Sequence, residues 1–311
     1  MNDNVVYIIC TSVGRAILKS HFAYHSTIPI SRIYCLSKEK GIKKSNYDDY
    51  VDLKSKYNIP IKYVNSINSI DVINELNEIK PTIIIQSGWS QKFSNQLLEI
   101  PKFGCIGQHP SPIPKGRGAA CVNWAIIKGE REWGDSFFLM NDEYDAGMVV
   151  AQKMIDILDE DNVYAIYNKI SWTSYSMIRD HLSSWIKGDF KEIKNKKVKS
   201  SYFKPREPKD GEISHNLKAI EQYNYVRALT KPYPGAFFVF NKKKIIVWEA
   251  NLISSKNLKE NLTKYSEYIF ISENLFYLKG SCGNYIIPMI LESDNFPIIN
   301  NKVFLKNFLK N

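Results

Sequence analysis

The first hundred residues alternate short apolar runs with segments of helical periodicity, and this pattern restricts the fold more than any other feature. The runs at 5–10, 30–35 and 82–86 have the composition of short strands. The run at 82–86 is of the continuous apolar kind that is typical of strands buried on both faces of a parallel sheet. Helical spacing from about 15 to 22 and from 72 to 79 separates them. The pattern predicts an α/β fold with a Rossmann-like, mostly parallel sheet and helices on both faces.

The second half of the chain has a different pattern. A lysine-rich connection at 194–199 is followed by a helical segment at 217–229 and then by short alternating runs, at 237–240, 244–248, 268–271 and 285–287. Such runs are typical of antiparallel strands. We therefore predict a catalytic domain over 1–200 and a C-terminal domain over 201–311, made of a connecting helix and a small OB-like β barrel.

Charge and cysteine usage narrow the setting. The net charge of +10 suits an anionic partner such as a nucleotide, a polyglutamylated cofactor or RNA, without choosing among them. The five cysteines are scattered, with no CxxC pair. The apolar run near the amino terminus is too short for a signal peptide or a membrane span. These features predict a cytoplasmic protein.

Two nucleotide-binding fingerprints are missing from the loops that follow the strands. The first such loop, CTSVGRA, has a single glycine instead of GxGxxG, and no GxxxxGK[ST] occurs. Dehydrogenase and ATPase functions are therefore disfavoured. His21 and His25 have the i, i+4 spacing of a metal face on a helix, but neither an HExxH motif nor a third ligand lies nearby. We interpret them as surface or packing residues and predict no metal.

Two loops carry residues suited to acid–base chemistry. His109 lies in a proline- and glycine-rich loop, 106–118, after a predicted strand. By position alone, a histidine hydrogen-bonded in a turn is an equally good interpretation. Asp145 lies in an acidic loop, 141–147, between two further predicted strands. If neighbouring strands bring the loops together, Asp145 can pair with His109, fix its tautomer and favour the imidazolium.

Three consecutive motifs resemble one family. HPSPIPKGRG, the Trp124 to Gly129 stretch and MNDEYDAGMVVAQ are similar in order and spacing to the folate-dependent formyltransferases, which include methionyl-tRNA, glycinamide ribonucleotide and nucleotide-sugar enzymes. QSGWS (86–90) and RALTKPYPGAFF (227–238) extend the resemblance over most of the chain. Overall the chain looks closest to the nucleotide-sugar N-formyltransferases.

The resemblance implies a reaction and a set of roles. The formyl donor is N10-formyltetrahydrofolate, and an amine attacks its formyl carbon. His109 donates a hydrogen bond to the developing oxyanion, while Asp145 holds the imidazole and assists proton removal. The residues implied to line the pteridine pocket, mostly through backbone groups, are Gly88, Trp89, Ser90, Asn141, Asp142 and Tyr144. Ser111 and Arg117 are implied to bind substrate, although a bracing role fits Arg117 as well.

One departure from the family concerns the oxyanion site. The family usually has an Asn-x-His-Pro arrangement, and here Gly107 stands two residues before His109. The adjacent Gln108 is our candidate for the missing amide. A branch of the family with glycine at this position is the alternative explanation.

The acceptor amine is open among three interpretations. The first is a nucleotide-linked amino sugar, the second is methionyl-tRNA, and the third is a binding module that keeps the fold without catalysis. Binding to tRNA would fall steeply with salt, because phosphate contacts dominate it. A homodimer that covers the exposed strands of the C-terminal domain is also expected.

Overall fold

The computed structural model describes residues 3–194, 198–258, 261–272, 275–294 and 296–308; part of the lysine-rich connection, 195–197, lies outside them. The strands are β1 Val5–Ile9, β2 Ile30–Leu36, β3 Ile61–Val64, β4 Ile83–Ser87, β5 Cys105–His109, β6 Arg117–Gly118, β7 Glu132–Leu139, β8 Met148–Asp156, β9 Tyr202–Phe203, β10 Ala236–Phe240, β11 Lys243–Ile253, β12 Thr263–Lys264, β13 Ile269–Ser272, β14 Leu275–Lys279, β15 Tyr285–Ser293 and β16 Phe296–Asn300. The α-helices are α1 Ser12–Tyr24, α2 Lys38–Gly41, α3 Val51–Tyr57, α4 Ile70–Ile79, α5 Asn95–Leu98, α6 Cys121–Ile127, α7 Val163–Trp185, α8 Ala219–Leu229 and α9 Asn301–Phe308.

Contacts divide the chain into two compact units. The first comprises 1–121, 132–156 and 167–204, and the second comprises 122–131, 157–166 and 205–311. Within the described residues, no helix is long and apolar enough to cross a membrane.

The first unit is built on a seven-stranded sheet with the order β3-β2-β1-β4-β5-β7-β8. The strands from β3 to β5 are parallel, and β7 and β8 add to the edge in antiparallel fashion. The strand order reverses direction between β1 and β4, which makes their carboxyl ends the switch point where ligands bind in such sheets. The loops at Thr11 and Gly88 therefore open at the expected ligand edge.

Helices cover the sheet on both sides because of this order. The chain moves one way across the sheet from β1 to β3 and the other way from β3 to β4. Since βαβ crossovers are right-handed, α1 and α4 lie on opposite faces. With the antiparallel C-terminal sheet described below, the predicted fold class is confirmed.

The amino end of α1 is filled by protein. Tyr50, in a left-handed backbone conformation, accepts a hydrogen bond from the Thr11 N–H and donates one to the Thr11 carbonyl, both at 2.7 Å. Arg15, one turn into α1, is paired with Asp48 and Asp52. The Tyr50 hydroxyl thus takes up the Thr11 N–H and occupies space at the start of the helix, in keeping with the missing glycine fingerprint.

The second unit contains an antiparallel half-barrel sheet with the order β10-β11-β15-β14-β13-β12, to which β16 adds alongside β15. Its core is aromatic, with Phe238, Phe240, Phe276 and Phe304 buried together. In the same unit, buried Arg227 of α8 donates hydrogen bonds to the carbonyls of Leu158 and Asp161.

Candidate active site

His109 ends β5, the strand that lies next to β4 of the switch point. All five residues of this strand are buried, between parallel β4 and antiparallel β7. Because successive side chains of a strand alternate, His109 and Gly107 share one face while Gln108 points to the other. The strand therefore fixes which side chains can meet the imidazole.

The imidazole of His109 has partners on both nitrogens. Its Nε2–H donates to the Gly116 carbonyl at 3.0 Å, and Nδ1 lies 3.6 Å from Asp145 Oδ1. Burial lowers the pKa of His109, but the Cys121 sulfur, the Asp145 carboxylate and the Gly116 carbonyl favour the imidazolium and together raise the pKa above its ordinary value. The ring is thus held in one orientation and favoured in its charged form.

Asp145 approaches from the loop between β7 and β8. Its backbone is in the left-handed region, with φ of 50°. Its Oδ2 accepts a hydrogen bond from the Gly118 N–H at 2.9 Å, and its side chain is 19% exposed. The pairing of loops that the sequence left conditional is present, and one edge of the carboxylate faces solvent.

Cys121 is a neighbour of His109 that the sequence reasoning did not single out. Its buried thiol donates to the Pro110 carbonyl at 3.2 Å and touches the imidazole. Sequence reasoning about disulfide or metal pairs gives a single cysteine no role. The available signal is that Cys121 lies three residues after the HPSPIPKGRG motif.

Side chains of β7 hold the proline-rich loop through hydrogen bonds. The Trp133 indole N–H donates to the Pro110 carbonyl at 2.8 Å, and Ser136 donates to the Ser111 carbonyl at 2.6 Å. Ser136 also accepts hydrogen bonds from the Ile113 N–H and from Gln152. The loop that carries the His109 and Gly116 groups is therefore rigidly attached to β7 and β8.

Ser111 is not placed to bind substrate. It is 0% exposed, and its hydroxyl has no hydrogen-bond partner among the described residues. A side chain buried in this way cannot touch a ligand unless the loop moves. Our expectation of a substrate contact at Ser111 does not agree with the structure, because the loop turns this side chain inward.

Arg117 lines a cleft beside the Asp145 loop. The cleft has a volume of about 350 Å³ and its walls include Ile113, Pro114, Arg117, Gly147, Met148, Val149 and Lys194. Arg117 Nε is buried and has no hydrogen-bond partner within the described residues, so contact with a ligand would have to use the terminal nitrogens of the guanidinium. A guanidinium in a cleft beside the reactive pair is suited to an anionic ligand.

Gln108 is not brought to the His109 site. Ser87 donates to Gln108 Oε1 at 2.7 Å, and Gln108 Nε2 donates to Asp135 Oδ1 at 2.6 Å. Thr173 and Ser174 complete this network by donating to Asp135 Oδ2. The amide is thus engaged at both ends on the opposite face of β5, and the Gln108 candidate for the oxyanion donor is at odds with this geometry.

The space beside Gly107 is filled by another side chain. A Cβ at this position would lie 2.8 Å from Phe138 Cζ and 3.1 Å from Met140 Cγ. No side chain can therefore be added at 107 unless Phe138 moves. At the position where the resemblance implies an asparagine, this chain has a glycine with the Phe138 ring beside it.

The two loops expected to line a pteridine pocket lie side by side. Gly88 has φ of 71°, and a Cβ there would collide with Thr11, so the chain passes tightly across the switch point. Lys92 lies over the Tyr144 ring at 5.8 Å and thereby joins the loop after β4 to the acidic loop. Of the residues expected to line the pocket, Ser90, Asn141, Asp142 and Tyr144 are exposed.

Trp89 contributes to this loop as a packing residue. Its side chain is buried, and its indole N–H donates to Gln91 Oε1. Its carbonyl accepts a hydrogen bond from Gln86 Nε2 at 3.0 Å. Any contact of Trp89 with a ligand in this loop would therefore run through the remaining backbone groups and not the ring.

His21 and His25 are committed to protein partners. Tyr7 donates to His21 Nδ1, and His21 Nε2–H donates to the Ile28 carbonyl; burial lowers the pKa of His21 to about 4. His25 bonds to Ser183 and to carbonyls of α7. Across the described residues, no group of three or more His, Cys, Asp or Glu side chains could hold a metal ion.

Comparison with known proteins places these features in a family. The pattern describing formyl transferases matches residues 40–182, and that of the formyl transferase C-terminal domain matches 206–295. The bifunctional polymyxin resistance protein ArnA of Wigglesworthia glossinidia brevipalpis is 37% identical over 245 residues, which are 74% of this chain. The match spans only 37% of that relative's length.

Two solved structures share the fold. The N-formyltransferase of Helicobacter canadensis, in complex with folinic acid and dTDP-3-aminofucose, has a TM-score of 0.69 at 17% identity, with 92% of this chain and 98% of that chain covered. HypX of Aquifex aeolicus, in complex with tetrahydrofolic acid, has a TM-score of 0.64 at 18% identity and covers 100% of this chain and 48% of that one. The two family patterns together span about three quarters of the sequence, and the chain belongs to the formyl transferase family.

Proposed function

We propose that this chain is an N-formyltransferase that moves a formyl group from N10-formyltetrahydrofolate to the amine of a nucleotide-linked amino sugar. The observation that carries the proposal is the His109–Asp145 pair, 3.6 Å apart at the ligand edge of the sheet. Membership of the formyl transferase family supports the reaction class. The amino-sugar acceptor is supported by the fold shared with an enzyme whose structure contains dTDP-3-aminofucose.

His109 supplies the hydrogen bond that stabilises negative charge on the formyl oxygen. Its Nε2–H is already committed to the Gly116 carbonyl, so Nδ1 is the nitrogen available to a ligand. In the imidazolium, Nδ1 carries a proton, and its 3.6 Å separation from Asp145 Oδ1 leaves that N–H able to donate to a substrate oxygen. Preorganised donors of this kind contribute about 10²- to 10³-fold in rate.

Asp145 acts on the attacking amine. The Gly118 N–H holds Oδ2, and Oδ1 faces His109 at the partly exposed side of the site. From there the carboxylate accepts the proton that the amine loses as it is formylated, directly or through one water molecule. The bond from the formyl carbon to N10 breaks as the new C–N bond forms, and the same proton can pass to the departing N10. Its charge also favours the imidazolium of His109, so the two residues act together.

The loops around the switch point fit a reduced pterin. Pterin rings carry several hydrogen-bond donors and acceptors around a flat edge, which backbone groups in fixed loops can match. The loop after β4 and the acidic loop lie together and expose Ser90, Asp142 and Tyr144. These loops would hold the pterin, and the bound donor supplies the activated formyl group. Gly88 and Asn141 help to shape this pocket.

Arg117 receives the nucleotide part of the acceptor. Its side chain lines the cleft of about 350 Å³ next to Gly147 and Met148. A guanidinium in such a cleft can donate to the oxygens of a phosphate through its terminal nitrogens. A sugar diphosphate bound there would reach toward Asp145 with its amine.

The setting proposed for this reaction is the cytoplasm. All five cysteines are free thiols, in keeping with a reducing compartment. A homodimer that covers exposed strands of the C-terminal sheet is proposed as the assembly, and sedimentation at several concentrations would test it.

The experiment is formyl transfer to a panel of nucleotide-linked amino sugars and to methionyl-tRNA, with Arg117→Gln compared against wild type. We expect turnover on at least one sugar nucleotide and an acceptor KM raised about tenfold in Arg117→Gln, with the folate KM unchanged. Turnover on methionyl-tRNA alone, with strongly salt-dependent binding, would reject the acceptor. Folate binding without transfer to any amine would reject the enzyme in favour of a binding module.

A further inference from the structure

We propose that Phe138 is a positioning residue that sets the spacing of the His109–Asp145 pair, and that Gly107 exists in this chain to admit its ring. The proposal rests on the proposed function only for its kinetic consequence. Its packing consequence can be tested whatever the reaction proves to be.

Phe138 lies on the same face of the sheet as the imidazole. In the antiparallel β5–β7 pair, Phe138 is directly opposite Gly107, and His109 is directly opposite Ser136. Cross-strand partners share a face, and residues two apart on a strand share it as well. The ring is therefore a neighbour of His109 along this face, buried with Ile113 and Val149.

The ring contacts the strand that carries His109. A Cβ at Gly107 would lie 2.8 Å from Phe138 Cζ and 3.0 Å from Cε1, closer than side-chain carbons approach in real structures. Glycine is thus the only residue that leaves room for the ring without a rearrangement. The position of the Phe138 ring therefore depends on the absence of a side chain at 107.

The other side of Phe138 contacts the loop that carries Asp145. A Cβ at Gly147 would lie 3.2 Å from Phe138 Cδ2 and would overlap the Leu139 carbonyl oxygen. The ladder between β7 and β8 also shifts register between Phe137 and Phe138, and such bulges are common beside active sites. The ring is thus held between the His109 strand and the Asp145 loop.

This arrangement explains how the pair keeps its geometry without the family amide. His109 is fixed by β5, while Asp145 sits on a loop with a left-handed backbone. A rigid ring between the two transmits the position of one to the other. Loss of part of the ring would let Gly147 and Asp145 settle closer to β5, and small displacements of reacting groups are costly in rate.

The test compares Phe138→Leu with Phe137→Leu. Phe137 is fully buried on the opposite face, against Trp185, so it controls for loss of core volume. We expect kcat to fall about tenfold in Phe138→Leu with both KM values within about twofold, and to stay within about twofold in Phe137→Leu. The His109 C2–H resonance, assigned by its loss in His109→Ala, should titrate with a changed pKa only in Phe138→Leu.

A stability cycle tests the packing without any substrate. Gly107→Ala should lower Tm by roughly 2–6 °C, because the added methyl group collides with the ring. The loss should be much smaller in a Phe138→Leu background and unchanged in a Phe137→Leu background. Additive losses in the Phe138→Leu background, or equal kinetics and titration in the two phenylalanine variants, would overturn the proposal. Absence of formyl transfer by the wild-type protein would instead reject the proposed function. The stability cycle would then still test whether Phe138 packs against position 107.

Discussion

Asp135 lies within β7, and Asp145 lies ten residues later in the loop after that strand. The two carboxyl groups have opposite surroundings. Asp135 is fully buried and accepts hydrogen bonds from Gln108, Thr173 and Ser174. Asp145 is partly exposed, with one oxygen fixed by a backbone N–H and the other in loose contact with His109. The first carboxyl is surrounded by matched donors, and the second keeps an edge free for chemistry.

The difference separates a structural acid from a reactive one. Burial raises the pKa of Asp135 to about 6, partly offset by its hydrogen-bond donors. A perturbed pKa in a buried acid would ordinarily mark a functional site. Here the donors around Asp135 leave no oxygen for a ligand, so its shifted pKa reflects the cost of burial. A carboxylate oxygen that has room for another hydrogen bond and faces solvent is the better guide to the reacting residue.

The largest effect is expected for His109→Ala. Removing the imidazole deletes the hydrogen-bond donor to the formyl oxygen, so kcat/KM should fall about 10²- to 10³-fold or more. Steady-state formyl transfer measures it. Because the cavity is at the ligand edge, the thermal transition should stay cooperative, and activity retained within tenfold would contradict the role of His109.

Asp145→Asn should give a smaller loss, about 10²-fold, together with a shift in the pH profile. The pKa of His109 is raised in the folded protein despite burial, in part by Asp145, and activity that needs the imidazolium is lost as pH rises through that pKa. Removing the carboxylate lowers the pKa, so the alkaline limb should move to lower pH. An alkaline limb that stays at the wild-type position would show that Asp145 does not raise the pKa of His109.

Asp135→Asn should affect stability and leave kcat within about threefold. The folded-state pKa of about 6 exceeds the ordinary value of 3.8, so the folded protein binds this proton more tightly than the unfolded chain does. Wild-type stability from this group therefore declines as pH rises from about 4 to about 6. The difference in Tm, variant minus wild type, should rise over that window and level off above it. A difference independent of pH would show that Asp135 does not titrate there.

The smallest effect is expected for Ser111→Ala. Its hydroxyl is buried without a partner in the described residues, so its removal should change the free energy of unfolding by less than about 1 kcal/mol and leave acceptor KM unchanged. Ser136→Ala is the matched control, because that hydroxyl has partners in Ser111, Ile113 and Gln152 and should cost about 1–3 kcal/mol. A raised acceptor KM in Ser111→Ala would restore the substrate contact that burial argues against.

Much of the fold could be predicted from periodicity. The short apolar runs located β1, β2 and β4, and helical spacing located α1, α4 and α8 within a few residues. The antiparallel attachment of β7 to β5 could not be read this way, because a strand's direction depends on its partner and not on its own pattern. Short elements such as α3 and β16 carry too few residues to show a period.

His109, Asp145 and Arg117 came from motifs, and their roles stay predictions. The structure brings the Asp145 carboxylate to 3.6 Å from His109 and places Arg117 in a cleft beside the Asp145 loop. The predicted roles of Gln108 and Ser111 do not agree with the structure, because both side chains point away from the His109 site. These directions are determined by the pleat of β5 and by the turn of the loop. Phe138 was invisible to motif reasoning, since its importance lies in a glycine on another strand.

The Tyr50 hydroxyl at the start of α1 limits how this protein can be engineered. A designer who wished to graft a dinucleotide cofactor onto the sheet would have to remove the Tyr50 hydroxyl from Thr11, and a Cβ at Gly14 would already lie 2.4 Å from that hydroxyl. Arg15 would also need release from Asp48 and Asp52, leaving two carboxylates where a pyrophosphate should bind. Redesign toward new acceptors should therefore begin at the cleft beside Arg117 and leave the first crossover untouched.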